Sequence, residues 1–224
     1  MTTSIARPTA GGITGTRRQW LVPAGLILLT LIPILAGEVR LHEIASGAVE
    51  TAKNARFLES PIPVVTHIVS VTIFSILGAF QFVSALRRRR SWHRIAGRIL
   101  IPAGLLTALS GMWMAAFYPH PAGEGLSLSI IRLAFGAAMV ASIAFGIRAI
   151  VKRDFPSHGE WMTRAYAIAV AAGTQAIVLI PETIVFGPGN ELPRTTFMAA
   201  AWVINLTIAE LVVRRRRGIP AATR

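Results

Sequence analysis

A chain of 224 residues that is 53% hydrophobic and 15% charged, with a mean hydropathy of +0.57, holds more apolar surface than one soluble core of ordinary size can bury. Its formal charge of +13 is concentrated in short runs between apolar stretches, the pattern of membrane loops and not of a nucleic-acid-binding face. The lack of cysteine excludes disulfides, thiolate metal sites, iron-sulfur ligation and cysteine nucleophiles, so any metal or haem must rely on histidine, carboxylate or methionine.

Residues 1–19 read as a basic tail. Within it Thr16-Arg17-Arg18-Gln19-Trp20-Leu21 loosely resembles a twin-arginine export signal, but no small-residue cleavage site follows Leu35-Ala36-Gly37, so an uncleaved anchor is expected. Apolar runs follow at about 20–37, 62–86, 97–118, 126–150, 162–186 and 195–213, each long enough or nearly so to cross a hydrocarbon core of about 30 Å at about 1.5 Å per residue. The predicted fold is therefore all-α: a polytopic six-span bundle over residues 20–213 with a basic tail at 214–224. Between the first two spans, Leu41, Ile44, Ala48 and Ala52 fall near one helical stripe, which fits either a surface amphipathic helix over 38–61 or a plain spacer.

The loops also give a direction. Of the 23 basic residues, 18 fall in the two tails and in the loops after the second and fourth spans, while Arg40, Lys53, Arg56 and Arg194 lie on the other side and Arg132 lies inside a span. The positive-inside rule then places both termini in the cytoplasm and the protein in the plasma membrane as a multi-pass chain. The runs Arg87 to Arg90 and Arg214 to Arg217 are topology anchors, with lipid-headgroup binding as a subordinate role. Small residues at Gly97, Gly104, Ala108, Gly111 and Ala115, and at Ala165, Ala169, Ala172 and Ala176, predict that spans three and five are neighbours.

Five histidines divide by side. His42, His67 and His120 belong to the outer half, and His93 and His158 to the cytoplasmic half. Ser91-Trp92-His93-Arg94 opens span three and Ser157-His158-Gly159-Glu160-Trp161-Met162 opens span five, with capping-box spacing from Ser157 to Glu160. Odd-numbered spans run in one direction, so both imidazoles should meet at one interface, where they would be placed to ligate a b-type haem. The alternative is that they cap, bond to loop carbonyls or stack with Trp92 and Trp161. His67 lies roughly 7 Å into its span, where an ionisable group needs a reason to be. Arg132 and Glu182 should sit at similar depth, and an Arg132 to Glu182 ion pair orienting His67 would satisfy all three groups. That polar cluster reads either as a pocket for a quinone headgroup, small solute or proton, or as an internal clamp. Gln175, Asn205 and Glu210 are further polar residues in spans, with Glu210 one turn from Arg214.

No nucleophile elbow, Walker loop, His-Glu-x-x-His motif or dinucleotide-binding turn occurs, which argues against a hydrolase or an ATP-driven pump acting alone. No inverted repeat is visible, although the Ser and His that open spans three and five hint at a parallel one.

The stretch from His67 through Phe80-Gln81-Phe82 and His93-Arg94-x-x-Gly97-Arg98, with Ser157-His158-x-x-Trp161-Met162-x-Arg164, resembles the bacterial membrane-protein family called domain of unknown function 2306, over about residues 62 to 180. The resemblance implies the membrane fold. A looser likeness of layout is to six-helix two-haem b-type cytochromes, in which histidine pairs join the second to the fourth and the third to the fifth spans. By that likeness His93 and His158 match the third and fifth, and His67 the second. The fourth span holds no histidine, and His120 would substitute only if its Pro-flanked loop folded inward. Two functions follow as expectations. One is a haem protein passing electrons between a quinone or partner and the cytoplasmic side, with His93 and His158 as ligands. The other is a non-redox small-solute transporter or an accessory subunit of a membrane complex.

Overall fold

The structure is a computed structural model and describes residues 13–218. The first twelve residues of the expected amino-terminal tail and the end of the carboxyl tail, including Arg7 and Arg224, lie outside the described residues. The chain forms helices α1 (Ile13–Ala45), α2 (Ala55–Glu59), α3 (Pro61–Phe80), α4 (Ser84–Arg88), α5 (Arg90–Phe117), α6 (Leu126–Val151), α7 (Phe155–Ala169), α8 (Ala171–Phe186) and α9 (Glu191–Arg217), with no strand among the described residues. Six segments are long and apolar enough to cross a membrane, with α7 and α8 together making the fifth. This bears out the all-helical six-span fold.

The spans outrun the apolar runs that announced them. The third begins at Arg90 and the fifth at Phe155, each seven residues earlier than expected. Hydropathy marks only the lipid-immersed part, whereas a helix continues through the interface, where long basic side chains reach water. The capping box expected at Ser157 and Glu160 is corrected for the same reason. Asp154 is the N-cap of α7 and accepts from the Ser157 N–H at 3.1 Å, while Glu160 pairs with Arg217. No single surface helix covers 38–61 either. The α1 helix runs on to Ala45, where Leu41 and Ile44 pack on a cluster of Val64, Ile68 and Tyr118.

Neighbouring helices make a closed circuit. The α3 helix lies between α1 and α5, α6 bridges α5 to α7, and α8 returns to α1; α9 packs on α7 and α8. Spans three and five meet only narrowly, so their predicted adjacency is corrected. The small residues of α5 instead admit side chains from α3 and α6: a Cβ at Gly104 would meet Phe74 and Ile143, and one at Gly111 would lie 3.1 Å from His67 Cε1. The closest backbone approach joins α1 and α8. Pro33 has no N–H for the carbonyl four residues before it, and a Cβ on Gly173 would collide with that Leu29 carbonyl. Tyr166 of α7 lies over Gly78 of α3 and donates its hydroxyl to the Ser75 carbonyl at 2.7 Å. At the break between α7 and α8, Asn205 donates to the Ala167 carbonyl at 3.2 Å and accepts from Thr174 at 2.8 Å. Tyr166 and Asn205 thus find their partners across helices, as buried polar groups in lipid require.

Candidate functional site

At the end of the bundle opposite the arginine runs, a cavity of about 420 Å³ opens among α1, α3, α5, α6, α8 and α9. Apolar groups supply most of its wall: Val71, Met112, Phe135, Met139 and Trp202, with the Phe135 and Trp202 rings stacked at 4.8 Å. The polar groups on it are Arg56, His67, His120, Glu124, Arg132 and Gln175 among others.

His67 is held from one side. Its Nδ1 lies 3.0 Å from the Thr107 carbonyl and 3.2 Å from Ser110 Oγ. A carbonyl only accepts, and Ser110 gives its own proton to the Leu106 carbonyl at 2.5 Å, so Nδ1 carries the hydrogen and Nε2 is the lone-pair acceptor. Gly111 beneath the ring is what lets it sit so close to α5.

The loop between α5 and α6 folds over the cavity. Tyr118 donates to the Ser60 carbonyl at 2.5 Å, and Arg56 donates to the Pro119 carbonyl at 3.2 Å. His120 turns inward, with Nε2 2.8 Å from Ser129 Oγ. Gly123 has φ +81° and touches the α8–α9 loop so closely that a Cβ would lie 2.8 Å from Gly189 Cα. Ser127 then donates to Glu191 at 2.7 Å. The loop is fastened at both ends.

Glu124 is the charged centre of this lid. One oxygen accepts from Arg132 at 2.7 Å and the other from Arg194 at 3.3 Å. Burial opposes its ionisation, but the hydrogen bonds and charges of the two guanidinium groups outweigh that and hold the carboxyl below the ordinary range. Arg56, stacked on Phe57 at 4.6 Å, is pushed below the usual arginine value chiefly by burial; Glu124 opposes that shift, while Arg132 and Arg40 add to it. Burial likewise raises the Tyr118 phenol.

The expected polar cluster therefore divides. His67 and Arg132 face one cavity, but the expected Arg132 to Glu182 pair is replaced by Arg132 to Glu124. Glu182 is buried on α8 and accepts from Thr183 at 3.1 Å. The carboxylate that reaches Arg132 is eight residues before it, on the turn that doubles back over the start of α6. Sequence reasoning missed Glu124 altogether and counted Arg56 only as an outer basic residue; the only signal was the Pro119-His120-Pro121 stiffening of a short loop. Glu210 does pair with Arg214, at 3.6 Å, and more closely with Arg164, at 2.8 Å.

At the arginine-rich end, His93 and His158 lie in the first turns of α5 and α7, within electrostatic reach of each other. His158 Nδ1 is 2.9 Å from the Gly146 carbonyl, which fixes that nitrogen as the donor and leaves Nε2 as an acceptor. His93 Nδ1 is buried without a hydrogen-bond partner. Neither residue lines the cavity. Among the described residues no group of three or more histidine, aspartate or glutamate side chains is placed to share a metal ion.

No curated protein and no solved structure is significantly similar, while a family described as predicted membrane protein (DUF2306) matches residues 64–213. The match begins in the first turn of α3, ends in the last turns of α9 and reaches all spans but the first, and the chain belongs to this membrane-protein family.

Proposed function

We propose that the protein binds a small lipophilic molecule with a polar head in the cavity opposite its arginine-rich end, and that this end faces the cytoplasm. The observation that carries the reading is the cavity itself: about 420 Å³, inside the range of roughly 300–1,000 Å³ typical of small-molecule sites, largely apolar, with a few convergent polar groups. A binding role uses such a space, whereas neither a scaffold subunit nor a clamp that only fixed helix packing requires one. A quinone headgroup or another small solute is the size of ligand that fits. Extraction of the purified protein with organic solvent, followed by mass spectrometry, tests this against Ala172→Phe, which projects a ring into the space. The parent should carry a stoichiometric small molecule, and the variant should lack it while still folding and melting cooperatively. Identical extracts from both would end the reading.

A second reading, a b-type haem at the arginine-rich end, is favoured by the buried, partnerless Nδ1 of His93 beside His158, whose Nδ1 bond to the Gly146 carbonyl orients the ring and leaves Nε2 as the nitrogen that could ligate. Bound there, haem would supply one-electron chemistry. His93 and His158 would hold it, and Gly146 would fix the ring of His158. Protein made with ample haem should then show a low-spin spectrum that His93→Ala or His158→Ala abolishes. Colourless protein would dismiss it.

A further inference from the structure

Resting on the cavity reading above, we infer that the ligand is a single-chain or single-ring amphiphile with an anionic head, a carboxylate or a phosphate monoester. The charged side chains on the wall are Arg56, Arg132 and Glu124, so cations outnumber anions there. Glu124 is moreover shared, since its second oxygen is taken by Arg194. Arg56 has the Pro119 carbonyl and the Phe57 ring as partners, and no carboxylate within ion-pair distance among the described residues. Arg132 spends one terminal nitrogen on Glu124 and turns the other to Met198 Sδ at 3.9 Å, a weak acceptor for a guanidinium donor.

Excess positive charge in a space walled by apolar groups and poorly screened by water attracts an anion more strongly than it would at an open surface. A guanidinium with unfilled donors is the residue type suited to carboxylate and phosphate oxygens. The aromatic and methionine wall beyond the arginines suits an apolar body. The volume of about 420 Å³ lies at the low end for small-molecule sites, which excludes a two-chain phospholipid and leaves one chain or ring system.

Equilibrium binding of radiolabelled dodecanoate to the full chain in non-ionic detergent, with dodecanol and inorganic phosphate as competitors, tests the inference. One saturable site is expected, with dodecanol at least about tenfold weaker and phosphate unable to compete. Arg56→Gln should lower dodecanoate affinity about tenfold, equivalent to about 1.4 kcal/mol. Arg132→Gln should do at least as much where it folds. Because Arg56 bonds only to a backbone carbonyl, its variant is the safer one, and its thermal transition checks the fold. Dodecanol binding as tightly as dodecanoate, or Arg56→Gln binding like the parent, overturns the anionic head. If that dodecanol binding is still blocked by Ala172→Phe, the cavity reading survives alone. Competition by phosphate as strong as by dodecanoate overturns the amphiphile, and binding of neither probe overturns the inference outright.

Discussion

The two ends of the bundle use the same residue types to different effect. At the arginine-rich end the cations are numerous and the last of them are wet: Arg214 and Arg217 are 75% and 63% exposed in their ion pairs with Glu210 and Glu160, while Arg164, at 19%, pairs with Glu210 against the bundle. At the opposite end the cations are few, but Glu124 is 8% and Arg132 29% exposed, and the pair closes a cavity. Surface ion pairs are screened and contribute little, while a desolvated pair that loses one member strands a charge. What sets the second end apart is that its charged pair lines a cavity, whereas the pairs of the first do not.

The largest effect concerns orientation. Reporter fusions after Arg90, Lys152 and Arg217 should read cytoplasmic, and fusions near Gly123 and Asn190 external, in an all-or-none manner. An external signal after Lys152 would remove the assignment of the two ends.

Next in size is the lid. Gly123→Val places a β-branched residue at φ +81° and drives its Cβ against the Gly189 backbone. Left-handed backbone alone costs about 1–2 kcal/mol for a side-chain-bearing residue, and the backbone neighbour cannot yield as a flexible side chain would. Thermal unfolding in detergent should fall by several degrees. Gly159→Ala, at a position in α7 with open space around it, should leave the transition within error or raise it slightly. Equal losses at the two positions would mean that the lid is not fastened as described.

A smaller effect separates the ion pairs. In a double-mutant cycle, Arg132→Ala with Glu124→Ala should show a coupling of about 1–3 kcal/mol, because each single change leaves a partly buried charge. The cycle of Arg217→Ala with Glu160→Ala should show none that a thermal melt resolves. Additivity in the first cycle would make the lid pair as idle as a surface pair. The cycle of Arg132→Ala with Glu182→Ala should be additive, since those two groups do not pair.

What the sequence made legible follows the same division. Six spans were readable because lipid demands long unbroken apolar helices, and that demand is local. The depth of His67 and Arg132 was readable because rise per residue is fixed. The partner of Arg132 was not, because Glu124 reaches it through a loop whose path is set by Gly123 against Gly189 and by the Arg194 of another helix. Neither contact has a period or a spacing. Glu182 looked right by depth alone, but depth says nothing of the angle at which a side chain leaves its helix. The adjacency of spans three and five failed similarly: a stripe of small residues marks where something comes close, and on α5 that something is Phe74, Ile143 and His67.

The smallest effect is the pH dependence of the lid. The folded carboxyl of Glu124 is held below its ordinary value of 4.5 by Arg132 and Arg194. A depressed folded pKa means that the unfolded chain takes up the proton first as pH falls, so the stabilisation is complete above the ordinary value and is lost as pH drops through the folded one. The difference in thermal transition between the parent and a variant without this carboxyl should therefore stay level from about pH 7 to pH 5 and shrink below that. Glu124→Gln, neutral throughout, should start lower at pH 7 and decline less steeply. The remaining slope should come in part from the other end, where Asp154 is also held below its ordinary value of 3.8 by Ser157, and at a lower pH, since its starting value is lower. Asp154→Asn keeps an N-cap for α7 and should flatten only that lower part. If Glu124→Gln and the parent decline in parallel, the carboxyl takes up its proton alike in the folded and unfolded chains, and its two arginines do not stabilise its charge.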